Sequence, residues 1–181
     1  MLRRTLFSGI FAIYASLVLG SSGLCDIPFD KFTSNAPLDG EAFTFINTNS
    51  GRCLTVKDGE VKQGVMAEAA TSQERWMLVR AGDYYNITNV KTHQMLTVPG
   101  NSGAQGTNLV LADAIRDDGS SQQWIFEKVG QHYAIKSRVS GLIMAVAEQS
   151  KVEGTRVLQW TWMGIRDQVW MIQWVPGCGK E

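Results

Sequence analysis

Trp160 and Trp162 stand one residue apart in the stretch Val157-Leu158-Gln159-Trp160-Thr161-Trp162, with Asp167 downstream and Glu148 upstream. An indole face stacks on the apolar C–H face of a sugar ring. Carboxylates accept, and a carboxamide both accepts and donates, at the ring's hydroxyls. Trp160, Trp162, Asp167, Gln159 and Glu148 therefore have the residue types for binding a carbohydrate. The alternative role for the two indoles is an apolar patch over the end of the fold or the N-terminal tail, or a contact with another protein. Catalytic and metal chemistry finds less material. His93 and His132 are the chain's two histidines, and neither has a Cys or Asp at metal-ligand spacing. There is no Gly-rich phosphate loop, G-x-S-x-G elbow or H-E-x-x-H pair. No catalysis, metal or cofactor is expected. Asp117-Asp118, near Asp113 and Arg116, reads as a solvated loop.

Composition bounds the rest. The 181 residues suit one domain. Seventeen basic residues balance 17 acidic ones, which argues against a nucleic-acid binder. A hydrophobic fraction of 44% argues against disorder. Eighteen Gly against 4 Pro imply many tight turns. Arg3 and Arg4 precede an uncharged, mostly apolar run from Leu6 to Gly20, followed by small residues. This pattern predicts a secretory leader over residues 1–22, with the boundary open by about four residues. Val18-x-Gly20 and Gly20-x-Ser22 both fit a cleavage site. The alternative, a membrane anchor, needs ~20 apolar residues. Losing Arg3 and Arg4 leaves the mature chain slightly acidic, extracellular and without membrane insertion.

The elements that must position these side chains come from a threefold repeat. Trp76, Trp124 and Trp170 lie 48 and 46 residues apart, each preceded by polar residues: Gln73-Glu74-Arg75, Gln122-Gln123 and Gln168-Val169. Upstream of each lies a four-residue apolar segment, starting at Cys53, Met95 and Ile143. A turn precedes each segment, and before each turn comes an alternating run: Phe43-Thr44-Phe45, Tyr85-Asn86-Ile87 and Tyr133-Ala134-Ile135. Gly64, Gly106 and Gly154 read as matched starts of a further strand. The period within each repeat is two, which predicts half-buried strands. Four short strands per repeat cannot bury an inner face alone, so three repeats must close around one core. Trp76, Trp124 and Trp170 are expected in that core, with Gln122 and Gln168 tying strand to loop.

Three repeats of about 45 residues, each with a short apolar strand and a Q-x-W ending, resemble the ricin B-type lectins. The second and third repeats carry Q-x-W as Gln122 to Trp124 and Gln168 to Trp170; the first has Glu74 in place of Gln. The resemblance implies an all-β fold, a β-trefoil with pseudo-threefold symmetry over residues 40–176. Repeats fall at about 41–82, 83–130 and 131–176, between tails at 23–39 and 177–181. It also implies a sugar pocket made of three parts: an Asp in the second strand, an aromatic ring after the third, and an Asn or Asp just before Q-x-W. The third repeat has Trp160 and Asp167 in the last two places, but Ala145 where the strand Asp belongs. Glu148 is its candidate substitute. Thr55 and Thr97 hold the strand place elsewhere, and the aromatic place falls on Ala112 and on Ala69 or Ala70. One degenerate site, in the third repeat, is thus expected.

In such a fold the chain ends approach each other, so Cys25 and Cys178 would pair, leaving Cys53 as a shielded thiol. The alternative is Cys53 with Cys178, with Cys25 lost in the leader. Asn86-Ile87-Thr88 is a glycosylation sequon, with Asn86 expected to point outward. The expected partner is a carbohydrate or glycoconjugate. The rival is a protein target, such as a protease met by the loop from Ala112 to Gln122 through Arg116. Oligomeric state stays open.

Overall fold

Alternating apolar residues and tight turns divide the chain into twelve short strands. The computed structural model describes residues 41–116 and 119–175; the stretch expected to be a leader, Cys25, Cys178, Asp117 and Asp118 lie outside them. The first repeat supplies β1 (Ala42–Asn47), β2 (Cys53–Lys57), β3 (Glu60–Gly64) and β4 (Trp76–Ala81). The second supplies β5 (Tyr84–Asn89), β6 (Met95–Thr97), β7 (Val110–Ala112) and β8 (Gln123–Val129). The third supplies β9 (His132–Ser137), β10 (Ile143–Val146), β11 (Val157–Trp160) and β12 (Trp170–Val175). Helical structure among the described residues is limited to 3-10 turns of three or four residues.

Strand pairing closes a ring. β1 pairs with β4, β4 with β5, β5 with β8, β8 with β9, β9 with β12, and β12 with β1, all antiparallel. This is a six-stranded barrel, and closure removes the exposed sheet edges. The other six strands form three hairpins, β2–β3, β6–β7 and β10–β11, which cap one end. The fold is the all-β trefoil expected from the repeats.

The three repeat tryptophans are fully buried in one continuous core. A buried indole N–H needs an acceptor, and each finds a backbone carbonyl of its own repeat's hairpin. Trp76 Nε1 donates to Leu54 O at 3.0 Å, Trp124 Nε1 to Leu96 O at 3.1 Å and Trp170 Nε1 to Met144 O at 3.0 Å. Each indole thereby fastens a barrel strand to a capping hairpin. The turns between first and second strands also match. The N–H groups of Gly51, His93 and Gly141 donate to Asn47 O, Asn89 O and Ser137 O. All three have positive φ, near 60–70°. His93 therefore holds a left-handed position that the other repeats give to glycine, which is a turn role.

One expectation about register needs correction. Gly64 is not the counterpart of Gly106 and Gly154. Gly64 ends β3 opposite Cys53, as Ala112 ends β7 opposite Met95 and Trp160 ends β11 opposite Ile143. The first repeat turns between its hairpin strands through Asp58-Gly59, both with positive φ. The other two repeats use longer connections, and there Gly106 and Gly154 lie.

Cys53 is a buried free thiol, so the pairing of Cys53 with Cys178 does not occur here. Burial, with the charge of Glu74 adding to it, pushes its pKa up to about 12. The pairing of Cys25 with Cys178 falls outside the described residues.

Two outcomes follow. Trp124→Ala should lower unfolding stability by about 3–5 kcal/mol in chemical denaturation. Cys53 should resist a thiol-specific reagent at pH 8 in the native protein and react once the chain is unfolded.

Candidate carbohydrate site in the third repeat

Residue alternation along β11 decides which side chains can meet a ligand. Val157 and Gln159 face the core; Leu158 and Trp160 face out. Across the hairpin Leu158 lies opposite Ala145, and Trp160 opposite Ile143. Trp160 is 36% exposed. Its ring packs toward the neighbouring repeat, where a Cβ added to Gly106 would sit 3.3 Å from Trp160 Cζ3.

Asp167 reaches the same place from the other direction. It lies in the 3-10 turn Arg166–Gln168 just before β12. Two carboxamides hold this turn. Gln168 Oε1 accepts from Met163 N at 2.8 Å, and its Nε2 donates to Thr161 O at 2.7 Å, closing the loop after β11. Asn47 Nδ2, from β1, donates to Asp167 O at 2.8 Å. Thr48 and Arg166 add two bonds between the same segments. The position of Asp167 thus depends on the first repeat as well as its own.

Between these elements lies a cavity of about 410 Å³, lined among others by Ala145, Ala147, Glu148, Leu158, Trp160 and Asp167. Asp167 is only 5% exposed, and its Oδ1 has no hydrogen-bond partner within the protein. Burial raises its pKa above the ordinary carboxylate value, while its own backbone N–H pulls the other way. Glu148, exposed on the rim, has a φ of 56° in the turn after β10. Arg156, Met163 and Ile165 also belong to the wall. Nothing in the sequence pattern singled these three out, because they come from loops with no period of their own.

The structure thus brings together Trp160, Asp167 and Glu148, and leaves Trp162 and Gln159 apart from them. Trp162 is 43% exposed but does not line the cavity. Gln159 corrects the expectation that it reads hydroxyls. It is fully buried, its Nε2 donates to Ser102 O and Ala104 O, and its Oε1 accepts from Ser140 Oγ. Both of its N–H donors are used, and its complete burial keeps it from a ligand. Gln63 holds the same place in β3, donating to Ser150 O and Val152 O and accepting from Ser50 Oγ. Both glutamines clamp a loop of another repeat.

The other repeats lack the ring. The aromatic place in the first repeat is Gly64, not Ala69 or Ala70, and in the second it is Ala112. A side chain at Gly64 has no room, since its Cβ would lie 2.7 Å from Thr55 Cγ2. Gln122 is buried, with Oε1 accepting from Ile115 N and Nε2 donating to Thr97 Oγ1 and Asp113 O. In the first repeat Glu74 takes only the acceptor half of this role, from Thr71 N. Asn86 is half-buried between β4 and β8 rather than free. Its Nδ2, the atom a glycan would occupy, donates to Gln122 O at 3.0 Å. Among the described residues no cluster of His, Cys, Asp and Glu is arranged to hold a metal ion, and no helix is long and apolar enough to cross a membrane.

Comparisons agree with this fold. No curated protein matches the chain. A designed threefold-symmetric protein, ThreeFoil, superposes with a TM-score of 0.69 at 25% identity, covering 75% of this chain and 99% of its own. The exo-β-1,3-galactanase from Clostridium thermocellum gives 0.67 at 29% identity, covering 75% of this chain but 30% of the enzyme. The chain thus corresponds to less than a third of that protein. The Macrolepiota procera ricin B-like lectin, solved in complex with lactose, gives 0.63 at 18% identity, covering 74% of this chain and 94% of the lectin, a likeness of fold alone. The profile of the ricin-type β-trefoil lectin domain-like family matches residues 30–112 and 120–177. With a closed barrel, three capping hairpins and that match over most of its length, the chain belongs to the ricin-type β-trefoil lectin-like family.

Proposed function

We propose that this chain is a secreted, non-catalytic carbohydrate-binding protein with one site, on the outer face of the β10–β11 hairpin. The observation that carries the reading is Asp167. A carboxyl group this buried, with one oxygen unpartnered, is costly unless a ligand or water completes its bonding. It shares a cavity wall with the half-exposed indole of Trp160. Stacking on the indole would fix the sugar's plane, and Asp167 would accept from its hydroxyls. Glu148 on the rim is placed to accept from a second hydroxyl. Trp162 stands outside this pocket, and as an exposed ring nearby it serves a longer glycan or a protein contact rather than the first sugar. The leader over residues 1–22 supports secretion. Lactose in the Macrolepiota procera lectin supports the ligand class. A single open site binds weakly, so strong attachment would come from clustering on a multivalent glycan.

Trp160→Ala should abolish binding on a glycan array while lowering unfolding stability by about 1–2 kcal/mol, less than the loss of a core tryptophan, as suits a side chain that is 36% exposed. Unchanged binding would remove the site from this hairpin. Asp167→Asn separates binding from stability. The folded-state pKa of Asp167 is raised, so its charged form disfavours folding above that pKa. The penalty fades as pH falls toward the unfolded value near 3.9. The variant should therefore melt higher than wild type at pH 7, with the gain shrinking as pH falls through the carboxylate range, and should bind sugar less tightly. Parallel melting curves from pH 7 to pH 3 check this.

A further inference from the structure

The floor of the cavity narrows the ligand class, on the footing of the carbohydrate reading above. Ala145, Ala147 and Leu158 form an apolar cluster of their own, separate from the barrel core, on the outer face of the β10–β11 hairpin. All three line the cavity, and Met163 and Ile165 extend the apolar wall beside Trp160. The first and second repeats carry a hydroxyl at the place of Ala145, in Thr55 and Thr97, opposite Lys62 and Val110. Only the third repeat has a floor with no side-chain polar atom at that place. The polar groups, Asp167, Glu148, Gln149 and Arg156, stand elsewhere around the cavity. A saccharide with hydroxyls on every carbon would press one against a surface that can neither donate nor accept, losing that hydroxyl's bond to water. A methyl group there would gain by leaving water.

We propose that the third-repeat cavity takes a saccharide bearing a methyl group, seated on Ala145, Ala147 and Leu158, with the sugar ring on Trp160 and a hydroxyl on Asp167. Two sugar types present that chemistry: 6-deoxyhexoses, through the C6 methyl, and N-acetylhexosamines, through the acetamido methyl. Matched pairs of free sugars distinguish the sources and isolate the methyl. L-fucose against L-galactose tests the first, and N-acetylglucosamine against glucose, with N-acetylgalactosamine against galactose, tests the second.

Titration of the purified protein, followed by ligand-observed NMR, reads the preference. Wild type should bind the methyl-bearing member of at least one pair about four- to tenfold more tightly, the range expected for one buried methyl and one spared hydroxyl. The pair that shows it identifies the source. Ala145→Ser, which adds a hydroxyl to the floor, should shrink that ratio to below about twofold. If Ala145→Ser does not fold, Ala147→Ser, a polar change on the same floor, gives the same readout. Trp160→Ala should remove binding of both members, tying the preference to this cavity. Equal binding within every pair, or a ratio that the floor variants leave intact, overturns the methyl assignment and leaves the carbohydrate site standing. Binding of no sugar, alone or on a multivalent array, overturns both.

Discussion

The structure depends on an indole N–H that must find a carbonyl. Burying a tryptophan in a small barrel contributes a large apolar area but brings a donor that water can no longer satisfy. Three times the chain answers in the same way, with Trp76, Trp124 and Trp170 donating to Leu54, Leu96 and Met144. The acceptor lies in a capping hairpin and the donor in the barrel, so one bond per repeat sets how the two layers stack. The position of the β10–β11 hairpin, and so of Trp160 on its outer face, follows from the bond made by Trp170. A core residue and a surface residue of the third repeat are linked through β10: the carbonyl of Met144 accepts from Trp170, and Ile143 beside it pairs in the ladder with Trp160.

Symmetry explains the fold, and its failures explain the site. Gln63 and Gln159 each clamp a loop belonging to another repeat, but the matching place in β7 holds Leu111. The loop that a third clamp would hold is absent, because the first hairpin turns through Asp58-Gly59 alone. At the aromatic place the repeats read Gly64, Ala112 and Trp160; at the strand place they read Thr55, Thr97 and Ala145. The third repeat gains a ring and loses a polar atom. Both changes fall on the outer face of one hairpin, where the core is indifferent to them.

This division also says what the sequence could convey. Strand alternation and the spacing of the three tryptophans were legible because core packing repeats, and repetition is visible in one chain. The register of Gly64 was not, because a shorter turn in the first repeat shifts the alignment by several residues and only the ladder opposite Cys53 resolves it. Gln159 was within reach. It lies two residues from the core-facing Val157, so alternation turns it inward despite its place beside two tryptophans. Trp162 lies beyond the end of β11, where alternation no longer constrains direction. Arg156, Met163 and Ile165 reach the cavity through tertiary closure of loops, for which no local pattern exists. Asn47, which holds Asp167 from 120 residues away, was invisible for the same reason.

That bond from Asn47 has a consequence for the site as a whole. It runs from the first strand of the barrel to the turn before the last, beside the β1–β12 ladder that closes the ring. The third repeat holds the ring, the carboxyl and the floor, yet it cannot be excised as a self-sufficient binding unit. A chain still being synthesised has every other strand in hand before β12 emerges to complete the pocket. If the proposed site binds, capture would be a signature of the finished barrel, and a bound ligand would act as a latch on the joint between its first and last strands.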